Sequence, residues 1–144
     1  MNRIKLTNHF FLDEFIHPNI YNRFKSKSRL YINPVLVELA EVIRQKYGEP
    51  LYINTWATGG SRINSGLRDY KKPLGKLNRS RHYYGLCVDF TTNDIKKFQK
   101  HIDENKDFYY EHGLRVIENF RYTNSWCHIS VENTGLDKVK FITP

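Results

Sequence analysis

The stretch that decides the fold of this chain is Ser80-Arg81-His82-Tyr83-Tyr84-Gly85-Leu86-Cys87-Val88-Asp89-Phe90. Gly85 permits the chain to turn after His82, and the apolar residues that follow predict a strand over residues 86–91. Successive side chains of a strand point to opposite faces, so Asp89 shares a face with Cys87 and the residues between and after them point the other way. The stretch therefore predicts one apolar strand face and one face that carries a carboxylate near a histidine.

A second stretch later in the chain carries another histidine in a strand pattern, namely Ser125-Trp126-Cys127-His128-Ile129-Ser130. Alternation places His128 on one face with Trp126 and Ser130. If the two strands are neighbours, Asp89 and His128 lie side by side, and His82 completes a three-ligand cup from the preceding loop. Two histidines and one carboxylate are a protein-ligand set of catalytic zinc, which keeps one coordination position open for water.

The two cysteines of the chain have different predicted surroundings. Cys87 lies on the face of Asp89 and could bind a metal, although a free buried cysteine is more often a packed core residue, which is the interpretation favoured here. Cys127 points into the opposite layer. A disulfide between them would have to cross the sheet, so none is expected, and two cysteines are too few for a disulfide scaffold.

The remaining pattern predicts a single α+β domain over residues 1–144: a small, largely antiparallel sheet with helices on one face. Asn33 and Pro34 begin a helix that Gly48 and Pro50 end. The apolar face of that helix is formed by Val35, Leu36, Leu39, Val42 and Ile43. The other predicted elements are a short helix over 12–16, a helix capped by residues 92–94, strands over 51–56, 114–120 and 127–131, and an edge strand over 139–142. Residues 58–80 are predicted to form a long loop.

The chain is basic, with 23 Lys and Arg against 15 Asp and Glu and a net charge of +8. Between Arg62 and Arg81, seven basic residues face one acid, Asp69. This basic cluster is either a solvated loop or a mouth that attracts an anionic substrate, and both interpretations stay open. No apolar run has the length of a membrane span, and the N-terminus lacks the apolar core of a signal peptide. We therefore expect a soluble protein made in the cytoplasm, with no membrane partner.

Nucleic-acid binding is a weaker interpretation of the same charge. Tyr70 and Tyr83 interleave with the basic residues, as in single-strand binders. However, no helix-turn-helix or zinc-finger signature is present, and nucleic-acid binding leaves the histidines and the aspartate unexplained.

The pattern Ser80-x-His82-x-x-Gly85-x-x-x-Asp89 followed by Trp126-x-His128 resembles the zinc D-Ala-D-Ala carboxypeptidase and L-alanyl-D-glutamate peptidase family, which cuts the peptide stems of bacterial peptidoglycan. The likeness to small phage-encoded members runs from about Glu14 to Ser130 and includes Gly59-Gly60 and Gly66-Leu67-Arg68. The resemblance implies the α+β fold of those peptidases.

The resemblance also implies roles for individual residues. His82, Asp89 and His128 would be the Zn²⁺ ligands. Arg68 would pair with a substrate carboxylate, a role that suits a planar, permanently charged fork. Ser80 would form a hydrogen bond near the metal or substrate, and Trp126 would support the site beside the metal.

The general base is the position at which the chain departs from the family pattern. Many relatives carry an acid three residues before the last histidine, where this chain has Ser125. The nearest upstream carboxylate is Glu118, on the strand predicted to precede that of His128, and we predict it to be the base. Alternatively, Glu118 pairs only with Arg115 or Arg121.

Two questions about the biological role stay open. The protein is a phage-encoded peptidoglycan hydrolase, or an inactive member of the fold that acts as a wall-binding or structural part of a virion, in contact with other virion proteins. In the first case it is released through a holin or carried in the particle. The sequence also leaves open which peptidoglycan bond is cut.

Overall fold

Four short strands form one sheet in the computed structural model, which describes residues 1–69 and 80–144. The strands are β1 (Cys87–Phe90), β2 (Val116–Glu118), β3 (Cys127–Ser130) and β4 (Lys140–Ile142), arranged in the order β1-β3-β2-β4. The pairs β1–β3 and β2–β3 are antiparallel, whereas β2–β4 is parallel. The predicted α+β class is confirmed, and the sheet is mixed.

The parallel pairing of β4 follows from where β3 ends. Ser130 lies opposite Val116, so the chain leaves β3 beside the start of β2. Lys140 also pairs with Val116, so β4 starts at that same end and runs in the direction of β2. The predicted edge strand is thus present, but its direction depends on this long-range pairing.

The described residues contain four α-helices: α1 (Pro18–Phe24), α2 (Pro34–Tyr47), α3 (Ile95–Glu104) and α4 (Lys106–Glu111). The predicted start of α2 is confirmed, because the Asn33 side chain accepts a hydrogen bond from the Val35 amide, and Gly48 ends the helix at φ 81°. The start of α3 is also as predicted, since Asp94 accepts from the Lys97 amide. The sequence analysis did not predict α1 and α4. None of the described helices combines the length and apolar character needed to cross a bilayer.

Short 3₁₀ helices complete the described elements. They span Leu12–Phe15, Lys25–Tyr31, Trp56–Thr58 and Arg81–Tyr84. The first corresponds to the short helix predicted over residues 12–16.

The core forms where α2 and α3 meet the apolar side of β1 and β3. Its fully buried members include Leu36, Leu39, Ile43, Val88, Phe90, Phe98, Ile102, Cys127 and Ile129. Val35, predicted on the buried face of α2, is instead 41% exposed. The alternation of β1 is as expected: Val88 and Phe90 enter the core, and Asp89 is on the other side.

The predicted strand over residues 51–56 is wrong. Tyr52 exchanges two backbone hydrogen bonds with Thr91, but the amide of Asn54 donates to Glu14 and that of Thr55 donates to Arg62. Since neighbouring residues bond to different segments, no continuous ladder forms, and the extended segment gives way to the 3₁₀ helix at Trp56. Of the long loop predicted over residues 58–80, positions 70–79 lie outside the described residues.

Candidate metal centre

His82 is positioned by the 3₁₀ helix Arg81–Tyr84 and by the turn that follows it. Gly85 has φ +67°, and a Cβ there would lie 2.0 Å from the Tyr31 carbonyl oxygen, so only glycine fits the turn. The imidazole is buried, with Nδ1 2.9 Å from the Gly66 carbonyl oxygen. A carbonyl can only accept, so Nδ1 is the donor in this contact, and Nε2 is the nitrogen on the side of Asp89.

The Gly66 carbonyl that orients His82 is itself held in place. A Cβ on Gly66 would lie 2.3 Å from the Phe15 carbonyl oxygen, so the two backbones approach as closely as glycine allows. Buried Asn54 accepts from the Ser65 amide at 2.8 Å and donates to the Ile16 carbonyl at 3.1 Å. This loop therefore acts as an outer support that fixes both the orientation and the tautomer of His82.

Asp89 and His128 are direct partners in the β1–β3 register. Asp89 Oδ1 lies 2.8 Å from His128 Nδ1, and Oδ2 lies 3.3 Å from His82 Nε2. Burial acts to raise the pKa of Asp89, but hydrogen bonds from His128 and His82, together with the charges of the two rings, outweigh it and hold that pKa well below its usual range. The aspartate is therefore an anion between two imidazoles.

This arrangement fits a divalent cation. His128 Nδ1 and Asp89 Oδ1 are 2.8 Å apart and share a proton in the hydrogen bond, and a metal ion could take the place of that proton. Imidazole nitrogens and one carboxylate oxygen are donors that Zn²⁺ accepts in open, catalytic sites. Among the described residues, His82 and His128 belong to a buried group with Cys87 whose ligand atoms are close enough together to hold a metal ion.

Cys87 also belongs to this neighbourhood. Its Sγ and one ligand nitrogen each from His82 and His128 all lie within 4.8 Å of one another, and all three residues are buried. Both cysteines are free, as expected. Burial, followed by the charge of Asp89, raises the pKa of the Cys87 thiol, and burial likewise raises that of Cys127, which packs in the core.

The seven residues to which the sequence assigned a site role line one cleft of about 470 Å³, together with Arg81, Glu132, Ile142 and Pro144. The seven are Arg68, Ser80, His82, Asp89, Glu118, Trp126 and His128. Arg68 Nη2 lies 3.6 Å from Asp89 Oδ2, and its Nε donates to the Asn64 carbonyl at 2.8 Å. Ser80 precedes the 3₁₀ helix that carries His82, and half-buried Trp126 lies at the start of β3.

Glu118 lies beside His128 because β2 and β3 are paired. The register that joins Val116 to Ser130 brings the end of β2 next to His128. Glu118 Oε1 is 3.8 Å from His128 Nδ1. Within residues 1–69 and 80–144 it forms no ion pair with either neighbouring arginine, and Arg115 instead donates to the carbonyls of Tyr110 and Leu114. The carboxylate of Glu118 therefore faces the cleft.

The sequence analysis missed an ion pair at the cleft between Arg81 and Glu132. A signal for Glu132 is present in the chain: it continues the alternation of His128 and Ser130 at a spacing of two residues. Arg81 lies next to His82 but has no comparable signal.

Gln99 on α3 was also not predicted from the sequence, although its side chain holds the loop that leads to the cleft. Its side-chain amide is buried and donates to the carbonyls of Thr123, at 2.6 Å, and Trp126, at 2.9 Å. These two bonds fasten the loop that leads into β3. The position of Trp126, and of His128 after it, therefore depends on a helix that contributes no side chain to the cleft.

The basic cluster divides into residues with different surroundings. Arg62 donates to the backbone carbonyls of Ile53 and Asp89 and therefore has a structural role. Arg68 and Arg81 line the cleft. The other basic members, Lys71, Lys72, Lys76 and Arg79, lie outside the described residues.

Comparison of the chain with protein-family models, with curated proteins and with solved structures gives no match.

Proposed function

We propose that the protein is a zinc-dependent peptidase that hydrolyses peptide bonds in the stem peptides of bacterial peptidoglycan. The observation that carries the proposal is the convergence of His82 Nε2 and His128 Nδ1 on the two oxygens of Asp89. A second carboxylate and an arginine share the same cleft. Clustered ligand atoms beside an acid are the elements of metal-assisted hydrolysis.

The two histidines and the aspartate would hold the ion. Bound Zn²⁺ supplies Lewis acidity, which polarises a carbonyl and lowers the pKa of a water to about 7. His82 is held for this role by Gly66, and His128 by its place in the middle of the sheet. Two ligands come from paired strands and one from a glycine-terminated turn, so little rearrangement of the backbone is needed on binding.

Glu118 is the proposed general base. Its carboxylate is 3.8 Å from a ligand nitrogen, close enough to take a proton from a water in the cleft and to pass it to the leaving amine. It is 18% exposed and has no arginine partner among the described residues, so it is available for that exchange. Ser125, at the position where the family carries an acid, uses its carbonyl to accept a hydrogen bond from Thr91.

Arg68 is the proposed anchor for a substrate carboxylate. Its guanidinium is one-third exposed and sits at the edge of the metal centre, 3.6 Å from Asp89. Peptidoglycan stems carry carboxylates, which a guanidinium binds through two parallel hydrogen bonds. Trp126 would provide an apolar wall for the peptide, and Ser80 a hydroxyl near the reacting bond.

The decisive experiment compares wild-type protein with Glu118→Gln on purified bacterial cell walls, with and without a chelator. We expect the variant to keep stoichiometric zinc and to lose about 10²- to 10⁴-fold in turnover, the usual contribution of a general base. Exposed Glu111→Gln is the matched control and should behave as wild type. His82→Ala should lose the zinc.

The possible outcomes separate the alternatives. Undiminished turnover in Glu118→Gln would remove Glu118 from the mechanism. Wild-type protein that binds zinc but clears no wall at any pH would favour the inactive, wall-binding or structural virion component. A salt-dependent shift of DNA without wall clearing would favour nucleic-acid binding.

A further inference from the structure

Cys87 lies close to both histidines of the candidate metal centre. It is two residues before Asp89 on β1 and therefore on the same face of the sheet. Its partner in β3 is Ser130, two residues after His128. The thiol is fully buried, and its Sγ lies within 4.8 Å of one ring nitrogen of His82 and one of His128.

We infer that Cys87 is a sulfur donor to the metal bound by His82, Asp89 and His128. The inference rests on the metal centre of the proposed function, and it does not depend on hydrolysis. Zn–S and Zn–N bonds of about 2.3 and 2.0–2.1 Å place tetrahedral S and N donors about 3.6 Å apart. The ligand atoms of Cys87, His82 and His128 lie within 4.8 Å of one another, at most about 1.2 Å more than that separation.

One feature distinguishes this thiol from one that merely fills the core. Among the described residues, the buried cluster that forms the apolar core includes Cys127 but not Cys87. The second cysteine, Cys127, is equally buried and lies in the neighbouring strand, but it faces the apolar core among Phe90 and Ile129. The chain thus contains its own control for a buried thiol that cannot reach the metal.

A sulfur donor changes the chemistry of the centre. Thiolate ligands favour thiophilic ions such as Zn²⁺ and Cd²⁺ over the hard ions that carboxylate and carbonyl groups select. A tetrahedral site with four protein donors is closed, so hydrolysis would require the sulfur to leave or the coordination number to rise to five.

The test is Co²⁺ substitution in the metal-free full chain, followed by absorption spectroscopy. We expect one bound Co²⁺ per chain and a near-ultraviolet thiolate-to-cobalt charge-transfer band in wild-type protein. Cys87→Ser should bind Co²⁺ and lose the band, whereas Cys127→Ser should keep it. Circular dichroism of the three proteins reports whether each one folds.

A wild-type protein that binds one Co²⁺ without the band would overturn the inference, even if Cys87→Ser fails to fold. A band that survives in Cys87→Ser would also overturn it. Wall clearing without the band would support the proposed function and contradict the sulfur ligand. The band without wall clearing would support the sulfur ligand and contradict the proposed function. Absence of Co²⁺ binding would overturn both.

Discussion

Replacement of Gln99 by alanine should loosen the cleft from a distance. The Gln99 amide is the shared donor for the carbonyls of Thr123 and Trp126, and the side chain is only 3% exposed. Alanine removes both bonds and adds no donor. The loop before β3 then loses its attachment to α3, and β3 carries His128.

The expected loss of stability can be worked out from the two carbonyls that lose their hydrogen-bond donor. A buried acceptor left without a partner costs about 1–3 kcal/mol. Thr123 is fully buried and should contribute towards the upper end, whereas half-buried Trp126 is nearer to solvent and can recover a bond to water. We expect a loss of about 2–4 kcal/mol in the free energy of unfolding, a large part of the 5–15 kcal/mol typical of a domain.

Urea denaturation measures this difference, and Gln45→Ala provides the matched control. Gln45 is an exposed residue of α2 whose amide bonds to Glu41 at 3.1 Å, so its loss should change stability by less than about 0.5 kcal/mol. Both substitutions place alanine in a helix, so the gain in helix propensity is shared. If Gln99→Ala falls within about 0.5 kcal/mol of Gln45→Ala, the two buried hydrogen bonds do not hold the loop.

Two further predictions concern stability. Burial raises the pKa of Glu14 from 4.5 to about 7, so the folded chain holds a proton there that the unfolded chain releases, and stability falls as pH rises through that window. In Glu14→Gln, up to about 3 kcal/mol of this change in the free energy of unfolding should be absent. If the free energy of unfolding changes with pH equally in the two proteins, the prediction is wrong. Gly66→Ala should lower stability by about 1–3 kcal/mol because its Cβ would meet the Phe15 carbonyl at 2.3 Å. It should also weaken Zn²⁺ binding by about 10- to 100-fold through the displaced partner of His82. Exposed Gly135→Ala, whose Cβ meets no atom within 4 Å although its φ is +69°, is the control for a glycine replacement away from the candidate metal centre, and equal zinc affinity in the two variants would refute the role of Gly66.

Local sequence signals were sufficient to predict a helix start where a side chain accepts a hydrogen bond from a backbone amide a few residues away. Asn33 and Asp94 cap their helices by bonds that reach only two or three residues ahead, and both helix starts were predicted. Strand alternation similarly placed Asp89 away from Val88, because that property belongs to a single strand. The face of α2 was predicted less well, since which flank is covered depends on distant segments, as exposed Val35 shows.

Long-range hydrogen bonds account for the differences. The segment after Leu51 has the composition of a strand, yet its amides bond to Thr91, Glu14 and Arg62, three segments far apart in the chain. The direction of β4 depends on the end of the sheet at which β3 finishes. Gln99 appears in the sequence as one polar residue of a helix, and only the folded chain brings it to Thr123 and Trp126.

For the candidate metal centre, the donor types and the strand face that carries each of them could be predicted from local sequence. It also supplied the condition on which the centre depends, that the strands of Asp89 and His128 be neighbours. The tertiary structure meets that condition, because β1 and β3 are neighbours and pair Asp89 with His128. The tertiary structure also brings Cys87 close to the two imidazoles and places the Gly66 carbonyl within hydrogen-bond distance of His82 Nδ1. The physical reason is that alternation is a property of one strand's geometry, whereas the convergence of donors at one point depends on which strands and loops pack together.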